Sequence, residues 1–386
     1  MDTHIFLFGR TPELAFLELK TFFPDAALVG GVAAVSHLEL PIHPNLLLSR
    51  LGGTVKIARL SGEVTTCTPE SLAGFIRDSE HRIIFGVSVY GNMPRVSRAT
   101  LEQMKMLLEG AGKSARFVEA RDGKSLSSVV VAKESVSELV VIAQDGKFIV
   151  GQTIAVQPFE DWGERDFGRP YADPQAGMLP PKVSRMVINI ADRVRDLSRP
   201  LAEKSLLDPF CGMGTILAEA LVMGWNVVGS DRDEVAVEKA RANLRWLTQK
   251  PDAVPGVTYR LSVSDAVHVS DTMDKESIDA IVTEPFMGDT KIASRAPRLP
   301  TDDLKNTIKG LEKLYIGCLR DWAKVLKPRG VVMMALPRYA VNGKTYFVKK
   351  VIDMCEILGY TTVAGPIEYS RPQAVVRRSF YLFQKV

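Results

Sequence analysis

The chain has 386 residues, of which 46% are hydrophobic and 24% charged, and its formal net charge is +4 at pH 7. This length favours two or three domains, and the composition is that of globular proteins, which excludes the fibrous and extensively disordered classes. The sequence holds no uninterrupted apolar run long enough for a membrane-spanning helix. The small positive charge permits a polyanionic partner without requiring one.

The cysteines and histidines indicate neither a metal site nor a disulfide framework. Cys67, Cys211, Cys318 and Cys355 lie far apart, and the 5 histidines are scattered. Such spacing is typical of a reduced protein without a metal cluster. Because the first residues lead straight into an alternating segment, we also expect no signal peptide. The sequence therefore predicts a cytoplasmic protein with no metal and no membrane partner.

The first 160 residues alternate short β-like runs with helical stretches. We predict strands at 4–8, 54–60, 82–89 and 139–142, and helices at 12–23, 69–78 and 99–109. Short strands and helices mixed in this way predict an α+β domain over residues 1–160. Residues 161–181 are punctuated by proline and glycine, so we predict a linker there.

Residues 182–386 change to a regular alternation of strands and helices. A helix with an apolar stripe begins near Lys182. After it we predict strands at 205–207, 226–229, 257–262, 278–282 and 331–335, helices at 215–223, 234–247, 303–325 and 346–358, and an antiparallel pair at 361–368 and 379–383. This order predicts a doubly wound, mostly parallel sheet, which binds ligands at the carboxyl ends of its strands.

The strongest local signal is a glycine turn between a short apolar strand and a helix. Its residues are Asp208-Pro209-Phe210-Cys211-Gly212-Met213-Gly214-Thr215. Two further acids follow: Asp231 at the end of the next strand and Asp265 at the one after. Acids at successive strand ends suit a ligand with a diol, an exocyclic amine and a cationic group, whereas they repel a pyrophosphate. The alternative is a tight turn with acids that only cap helices.

These residues resemble class I S-adenosylmethionine-dependent methyltransferases. The resemblance implies a Rossmann-like domain whose mostly parallel seven-stranded sheet has an antiparallel C-terminal strand. It also implies that Asp208 and the turn from Gly212 to Gly214 hold the methionine part, Asp231 the ribose diol and Asp265 the adenine amine. The predicted cofactor-binding residues are Asp208, Phe210, Cys211, Gly212, Gly214, Thr215, Asp231, Arg232, Asp265 and Ala266.

A second motif follows the strand predicted at 278–282. It reads Val282-Thr283-Glu284-Pro285-Phe286-Met287-Gly288, where amino-methyltransferases carry Asn/Asp-Pro-Pro-Tyr/Phe. An exocyclic amine is a poor nucleophile, and an acceptor for its N–H groups directs its lone pair towards the methyl donor. We predict Glu284 as that acceptor and possible proton acceptor, Pro285 as the residue that shapes the backbone, and Phe286 as the stacking platform.

This motif departs from the usual pattern, because it has one proline and a glutamate. Aligned on Phe286, the usual acid position falls on Thr283, so two registers stay open. A strand end capped by Glu284, or a degenerate site, is the alternative to a catalytic corner. Lys291, Arg295 and Arg298 follow as a candidate phosphate-contacting loop.

The N-terminal part is similar to the THUMP-containing tRNA guanine-N2 methyltransferases. The matching stretches are 7–14 (LFGRTPEL), 51–57 (LGGTVKI), 85–90 (FGVSVY), 114–118 (SARFV), 126–129 (LSSV), 165–170 (RDFGRP) and 177–182 (GMLPPK), with Arg371, Gln373 and Arg377 near the end. The resemblance implies an N-terminal THUMP-type domain and methylation of guanosine N2 in tRNA, at position 10 in that family. An adenine-N6 DNA or RNA methyltransferase, and an RNA-binding protein with a vestigial catalytic domain, remain the alternatives.

Basic residues of the N-terminal part are the candidates for contact with tRNA phosphates, because such a substrate is recognised largely by shape. They are Arg82, Lys113, Arg116, Lys124 and Lys133. Near the join, Pro180, Pro181 and Lys182 are candidates for an approach to the cofactor.

Overall fold

The computed structural model describes residues 2–38, 43–76, 82–172, 178–193, 203–288, 301–341, 343–370 and 376–386. The chain divides into two compact units, Met1–Trp162 and Gly163–Val386, and helix Phe159–Phe167 runs across the division. Among the described residues, no helix combines the length and apolar character that crossing a bilayer demands.

The first unit is built on one eight-stranded mixed sheet. Its strands are β1 (Asp2–Phe8), β2 (Ala27–Val29), β3 (Ala33–Leu38), β4 (Thr54–Val64), β5 (Arg82–Tyr90), β6 (Ser114–Phe117), β7 (Ser137–Gln144) and β8 (Lys147–Val156), in the order β2-β3-β1-β4-β8-β7-β5-β6. Its helices are α1 (Pro12–Phe22), α2 (Pro44–Arg50), α3 (Pro69–Ala73), α4 (Arg98–Gly110) and α5 (Ser128–Lys133), and α6 (Phe159–Phe167) follows. The predicted α+β character is confirmed, although β2, β3, β6 and β8 were not predicted.

Two buried carboxylates fix this sheet locally. Glu18 of α1 accepts hydrogen bonds from the backbone N–H groups of Gly52 and Gly53, each at 2.8 Å, which fastens the turn before β4. Glu138 of β7 lies 2.5 Å from the ammonium of Lys56 on β4, and both side chains are buried. Burial lowers the pKa of Lys56, and the nearby Glu138 carboxylate opposes that shift.

The second unit contains an eight-stranded sheet flanked by helices, with seven strands on one path and an eighth paired beside it. Its strands are β9 (Ser205–Asp208), β10 (Asn226–Asp231), β11 (Tyr259–Val263), β12 (Ile278–Thr283), β13 (Leu326–Val341), β14 (Lys344–Phe347), β15 (Tyr360–Tyr369) and β16 (Val376–Lys385). Its helices are α7 (Pro181–Arg193), α8 (Thr215–Met223), α9 (Glu234–Thr248), α10 (Thr301–Val325) and α11 (Lys349–Met354). The sheet order is β11-β10-β9-β12-β13-β16-β15, and β14 pairs with β13 outside that path.

The strand directions confirm the predicted sheet. Strands β9 to β13 pair in parallel, whereas β16 runs antiparallel to both β13 and β15. The chain adds β10 and β11 on one side of β9 and then places β12 on its other side. A crevice therefore opens at the carboxyl ends of β9 and β12, where doubly wound sheets bind their ligands.

The helices and strands around the crevice follow the sequence pattern closely, with one exception. Helix α8 has the predicted bounds, and the apolar stripe of α7 is buried as core. The helix predicted at 346–358 is wrong in its first turn, because Lys344–Phe347 forms β14 and the helix is only Lys349–Met354. Tyr346 is instead paired with Tyr339 of β13, and such cross-strand aromatic pairs stabilise a hairpin.

Candidate active site

The glycine turn joins β9 to α8 through a backbone that other residues adopt poorly. Gly212 has φ of 49° and Gly214 has φ of 80°, both in the left-handed region. The N–H of Gly214 donates to the Cys211 carbonyl at 2.7 Å, and the N–H of Cys211 donates to the Ser230 carbonyl on β10 at 2.9 Å. The turn is thereby held against β10, and α8 begins at Thr215.

Asp208 is the last residue of β9, and its carboxylate is buried. It accepts hydrogen bonds from the Thr283 hydroxyl at 2.7 Å and from the Phe210 N–H at 3.2 Å. Burial raises the pKa of Asp208 to about 7; the two hydrogen bonds oppose this shift, and the Asp231 and Glu284 carboxylates add to it. An ammonium group bound in the crevice beside this carboxyl would stabilise its ionised form.

The other two predicted acids lie beside the same turn. Asp231 ends β10 and accepts from the N–H groups of Gly212 at 2.9 Å and Asp233 at 3.0 Å. Asp265 is exposed and lies two residues beyond the end of β11, rather than closing that strand, and it accepts from the Val267 N–H at 3.1 Å. Asp231 thus links the second strand of the sheet to the glycine turn.

The segment from Glu284 to Gly288 forms a corner at the end of β12. Two buried tyrosines hold its backbone: Tyr315 of α10 donates to the Phe286 carbonyl at 2.6 Å, and Tyr339 of β13 donates to the Met287 carbonyl at 2.5 Å. Burial raises the pKa of both phenols, so they remain neutral donors. The Phe286 ring, 46% exposed, is left at the surface of the crevice with the Arg232 guanidinium 5.7 Å from its centroid.

The Glu284 carboxylate forms an ion pair that the sequence did not reveal. The Nε–H of Arg378 on β16 donates to Glu284 Oε1, although 94 positions separate the two residues. Thr283, the other candidate for the acid position, is buried at the end of β12, and its hydroxyl donates a hydrogen bond to Asp208. Of the two open registers, only Glu284 brings a carboxylate to the crevice.

These residues surround one cleft of about 840 Å³ in the second unit. It is lined by Glu284, Pro285 and Phe286 and by every predicted cofactor-binding residue except Gly214. The lining residues that sequence reasoning missed include Met178, Leu179, Asp233, Met287, Leu314, Val376 and Arg378. The absence of Gly214 is explained by its packing, since a Cβ there would lie 3.3 Å from the Ala240 Cβ on α9.

Several predicted contacts lie elsewhere. Near the join, Met178 and Leu179 line the cleft, whereas Pro180, Pro181 and Lys182 do not. The loop residues Lys291, Arg295 and Arg298 lie outside the described residues, as do Arg371 and Gln373.

Within the predicted linker, Arg169 is buried and contacts Thr215, which lines the cleft. Its Nη1–H donates to the Thr215 hydroxyl at 2.8 Å.

Arg378, rather than the neighbouring Arg377, lines the cleft, because successive residues of a strand face opposite sides. Across the part of the chain that the structure describes, no group of three or more His, Cys, Asp or Glu side chains is placed to hold a metal ion.

Comparison with known proteins shows what the second unit is similar to. The UPF0020 family model, described as an RMKL-like methyltransferase domain, matches residues 183–291. TrmN from Thermus thermophilus is similar over 100% of both chains, with a TM-score of 0.58 and 17% identity. The structure of SMU.472 complexed with SAH is similar over 100% of this chain and 99% of that one, with a TM-score of 0.53 and 13% identity. The second unit has the Rossmann-like methyltransferase fold.

Curated relatives point to one group of enzymes. The tRNA (guanine(10)-N2)-dimethyltransferase of Methanothermobacter thermautotrophicus is 35% identical over 195 residues, which are 50% of this chain and 48% of that protein. The enzyme of the same name from Pyrococcus abyssi is 27% identical over 216 residues, 56% of this chain and 52% of that protein. The chain therefore spans about half the length of the curated relatives it matches.

Proposed function

We propose that the chain transfers a methyl group from S-adenosylmethionine to the exocyclic N2 amine of a guanosine in tRNA, of the position-10 type. The observation that carries the proposal is the single cleft at the β9–β12 switch point, which brings the Asp208–Thr215 turn and the Glu284 corner together. The names of the curated relatives supply the substrate.

The residues of the turn suit this cofactor. The carboxylate of Asp208 is buried and its pKa is raised, so a cation such as the ammonium of the methionine part would stabilise its ionised form. Asp231 and the exposed Asp265 offer acceptors for the ribose hydroxyls and the adenine amine, and Phe210, Cys211, Gly212, Thr215, Arg232 and Ala266 complete the lining. When bound, the cofactor supplies a methyl group on a sulfonium, and the amine lone pair forms the new N–C bond as the C–S pair returns to sulfur.

The Glu284 corner suits an amine acceptor. An ionised carboxylate accepts hydrogen bonds and donates none, and the Arg378 guanidinium forms an ion pair with this one. In this role Glu284 orients the amine N–H groups and takes up the proton that leaves after transfer. Phe286 offers an exposed ring on which an unstacked guanine can lie, and the Arg232 guanidinium packs on the same ring.

The remaining parts of the proposal concern the tRNA. We assign RNA binding to a THUMP-type domain over residues 1–160, a linker to 161–181 and methyl transfer to 182–386. Arg116 pairs with Glu134 at 2.9 Å and Lys133 with Glu160 at 3.7 Å, all exposed. Such surface pairs contribute little stability, so phosphates can replace the carboxylates. We also assign the reaction to the cytoplasm, because tRNA is the proposed substrate.

The test is to incubate the full chain with unmodified tRNA and labelled S-adenosylmethionine, and then to digest the RNA to nucleosides. We expect label in N2-methylguanosine or its dimethyl form. Label in N6-methyladenine would support an adenine methyltransferase instead. Cofactor binding without transfer to any tRNA would support an RNA-binding protein with a vestigial domain.

Two variants test the role of Glu284. Glu284→Ala removes the acceptor, and Glu284→Asp shortens the carboxylate stem by one methylene without changing its charge. We expect kcat to fall at least about a hundredfold in both, while the Kd for the cofactor stays within roughly threefold, because removal of one acceptor or donor in such sites costs kcat of that order. Retained turnover in Glu284→Ala would reject the assignment.

A further inference from the structure

Methyl transfer as proposed requires only the Glu284 carboxylate as acceptor, yet Arg378 also lines the cleft. It lies on β16, where it is paired with Pro337 on β13 and with Tyr369 on β15. Its guanidinium packs over the Tyr369 ring, 5.8 Å from the centroid, and its Nε–H donates to Glu284. The side chains of Arg378 and Glu284 are 14% and 17% exposed, so the pair is largely removed from water yet still lines the cleft.

The ion pair places a donor-only group beside an acceptor-only group. An ionised carboxylate accepts hydrogen bonds at both oxygens, whereas a guanidinium carries five N–H donors in a planar fork and accepts none. Contacts hold both groups in position: Tyr315 and Tyr339 bind the backbone of the corner, and the guanidinium packs on Tyr369. A base entering the cleft therefore meets a fixed pattern of acceptor next to donor.

The Watson–Crick edge of guanine matches this pattern over its full length. Guanine presents two donors in succession, N2–H and N1–H, followed by the O6 acceptor. Adenine presents the N6–H donor followed at once by the N1 lone pair, so the second carboxylate oxygen would face a lone pair. Arginine is also a common donor to guanine O6, which it contacts together with N7 in the DNA major groove.

We infer that Arg378 is a specificity-determining residue, which donates to guanine O6 while Glu284 accepts from N1–H and N2–H. The inference rests on the proposed function, and it names the groups of the base by which the cleft would distinguish guanine from adenine. In this arrangement Arg378 has two roles: it orients the Glu284 carboxylate, and it recognises the O6 carbonyl of guanine.

The experiment compares guanine with two analogues at the methylated position of a ligated tRNA. In 6-thioguanine the O6 acceptor is replaced by a poor one, while N1–H and the amine remain. In 2-aminopurine the amine remains, but O6 and N1–H are both lost, and the base is smaller at C6. We expect kcat/KM of the unaltered chain to be about ten- to a hundredfold higher for guanine than for 6-thioguanine, and higher still relative to 2-aminopurine.

The variant Arg378→Met removes the donor. We expect kcat/KM for guanine to fall, and the guanine preference over 6-thioguanine to drop to within about threefold of unity. The matched control is Arg338→Met: Arg338 pairs with Glu368 at 2.9 Å on the neighbouring strand pair but does not line the cleft, so its loss should leave both preferences unchanged.

The outcomes separate the inference from the proposed function. If Arg378→Met lowers kcat/KM for guanine and 6-thioguanine by the same factor, Arg378 only positions Glu284 and the inference is wrong, while guanine methylation stands. If the unaltered chain binds S-adenosylmethionine but methylates adenine, or no base at all, the proposed function fails and the inference fails with it. The Kd for the cofactor, measured on each variant, shows that the fold of the cleft is retained.

Discussion

Asp208→Asn is expected to stabilise the cofactor-free protein in a way that depends on pH. The asparagine keeps an oxygen to accept from the Thr283 hydroxyl and the Phe210 N–H, so the two hydrogen bonds at 2.7 and 3.2 Å survive. What the substitution removes is a buried group that must ionise when the pH rises. The difference between the two proteins therefore isolates the free-energy cost of that charge.

The magnitude follows from the two pKa values of Asp208. In the folded protein the pKa is about 7, and in the unfolded chain it is about 3.9. Because the folded value is the higher one, protonation stabilises the fold fully below about pH 4, and this stability is lost as the pH rises to about 7. Each pH unit in that window lowers the free energy of unfolding by about 1.4 kcal/mol, about 4 kcal/mol in all.

The assay is urea unfolding of the cofactor-free protein at pH 5, 6, 7 and 8, followed by tryptophan fluorescence. Trp322 reports on the site, since its ring lies 6.5 Å from that of Phe210. The stability advantage of Asp208→Asn should grow by roughly 2.3 kcal/mol from pH 5 to pH 7 and by only about 0.3 kcal/mol more to pH 8. Asp302→Asn, on the outside of α10 where Asp302 is 86% exposed, is the control for loss of one carboxylate. An advantage that is equal at pH 5 and pH 8 would refute the reasoning.

Three further predictions concern the cofactor, the corner and the first unit. If Asp208 is the counter-ion of the cofactor ammonium, calorimetry should show affinity for S-adenosylmethionine about tenfold weaker at pH 6 than at pH 8, because the folded pKa is about 7; equal affinities would exclude that role. Tyr315→Phe removes the donor to the Phe286 carbonyl and should lower the free energy of unfolding by about 1 kcal/mol, with kcat reduced and cofactor Kd unchanged. Lys56→Met leaves the buried Glu138 without its cation, although the Ser88 and Thr153 hydroxyls still donate to it, and should cost about 3–5 kcal/mol in chemical unfolding. A second change, Glu138→Gln, should restore part of that loss; additive effects would show that the pair is not coupled.

The second unit could be predicted well because its signals are local. The glycines of the turn, the acids at strand ends and the helical period of α8 and α9 all act within a few residues, and they fix both the elements and the end of the sheet where ligands bind. The fully buried strand β12 was equally clear, since it is a short apolar run that ends at a polar corner.

The first unit was harder, because its sheet is built from pairings across the chain. Strand β8 is paired with β4, and β3 is paired with β1, so neighbours distant in sequence stabilise residues with weak patterns of their own. Strand β14 differs, because its partner β13 directly precedes it in the chain and Val341 lies opposite Lys344, yet its residues continue a helical pattern. Tertiary pairing overrides local propensity in such segments.

The ion pair between Glu284 and Arg378 shows why the contracted motif could not be interpreted from sequence alone. Thr283 is the last residue of a buried strand, and its hydroxyl completes the environment of Asp208. The next residue lies outside the strand, so the side chain that reaches the cleft from the corner is Glu284, one position later than the usual acid but one methylene longer. Its carboxylate is then fixed by an arginine that only the strand order β12-β13-β16 brings near. The longer stem of Glu284 can compensate for the shift in register because Arg378, on the antiparallel strand β16, fixes its carboxylate. This arrangement favours a functional acceptor site over a degenerate one.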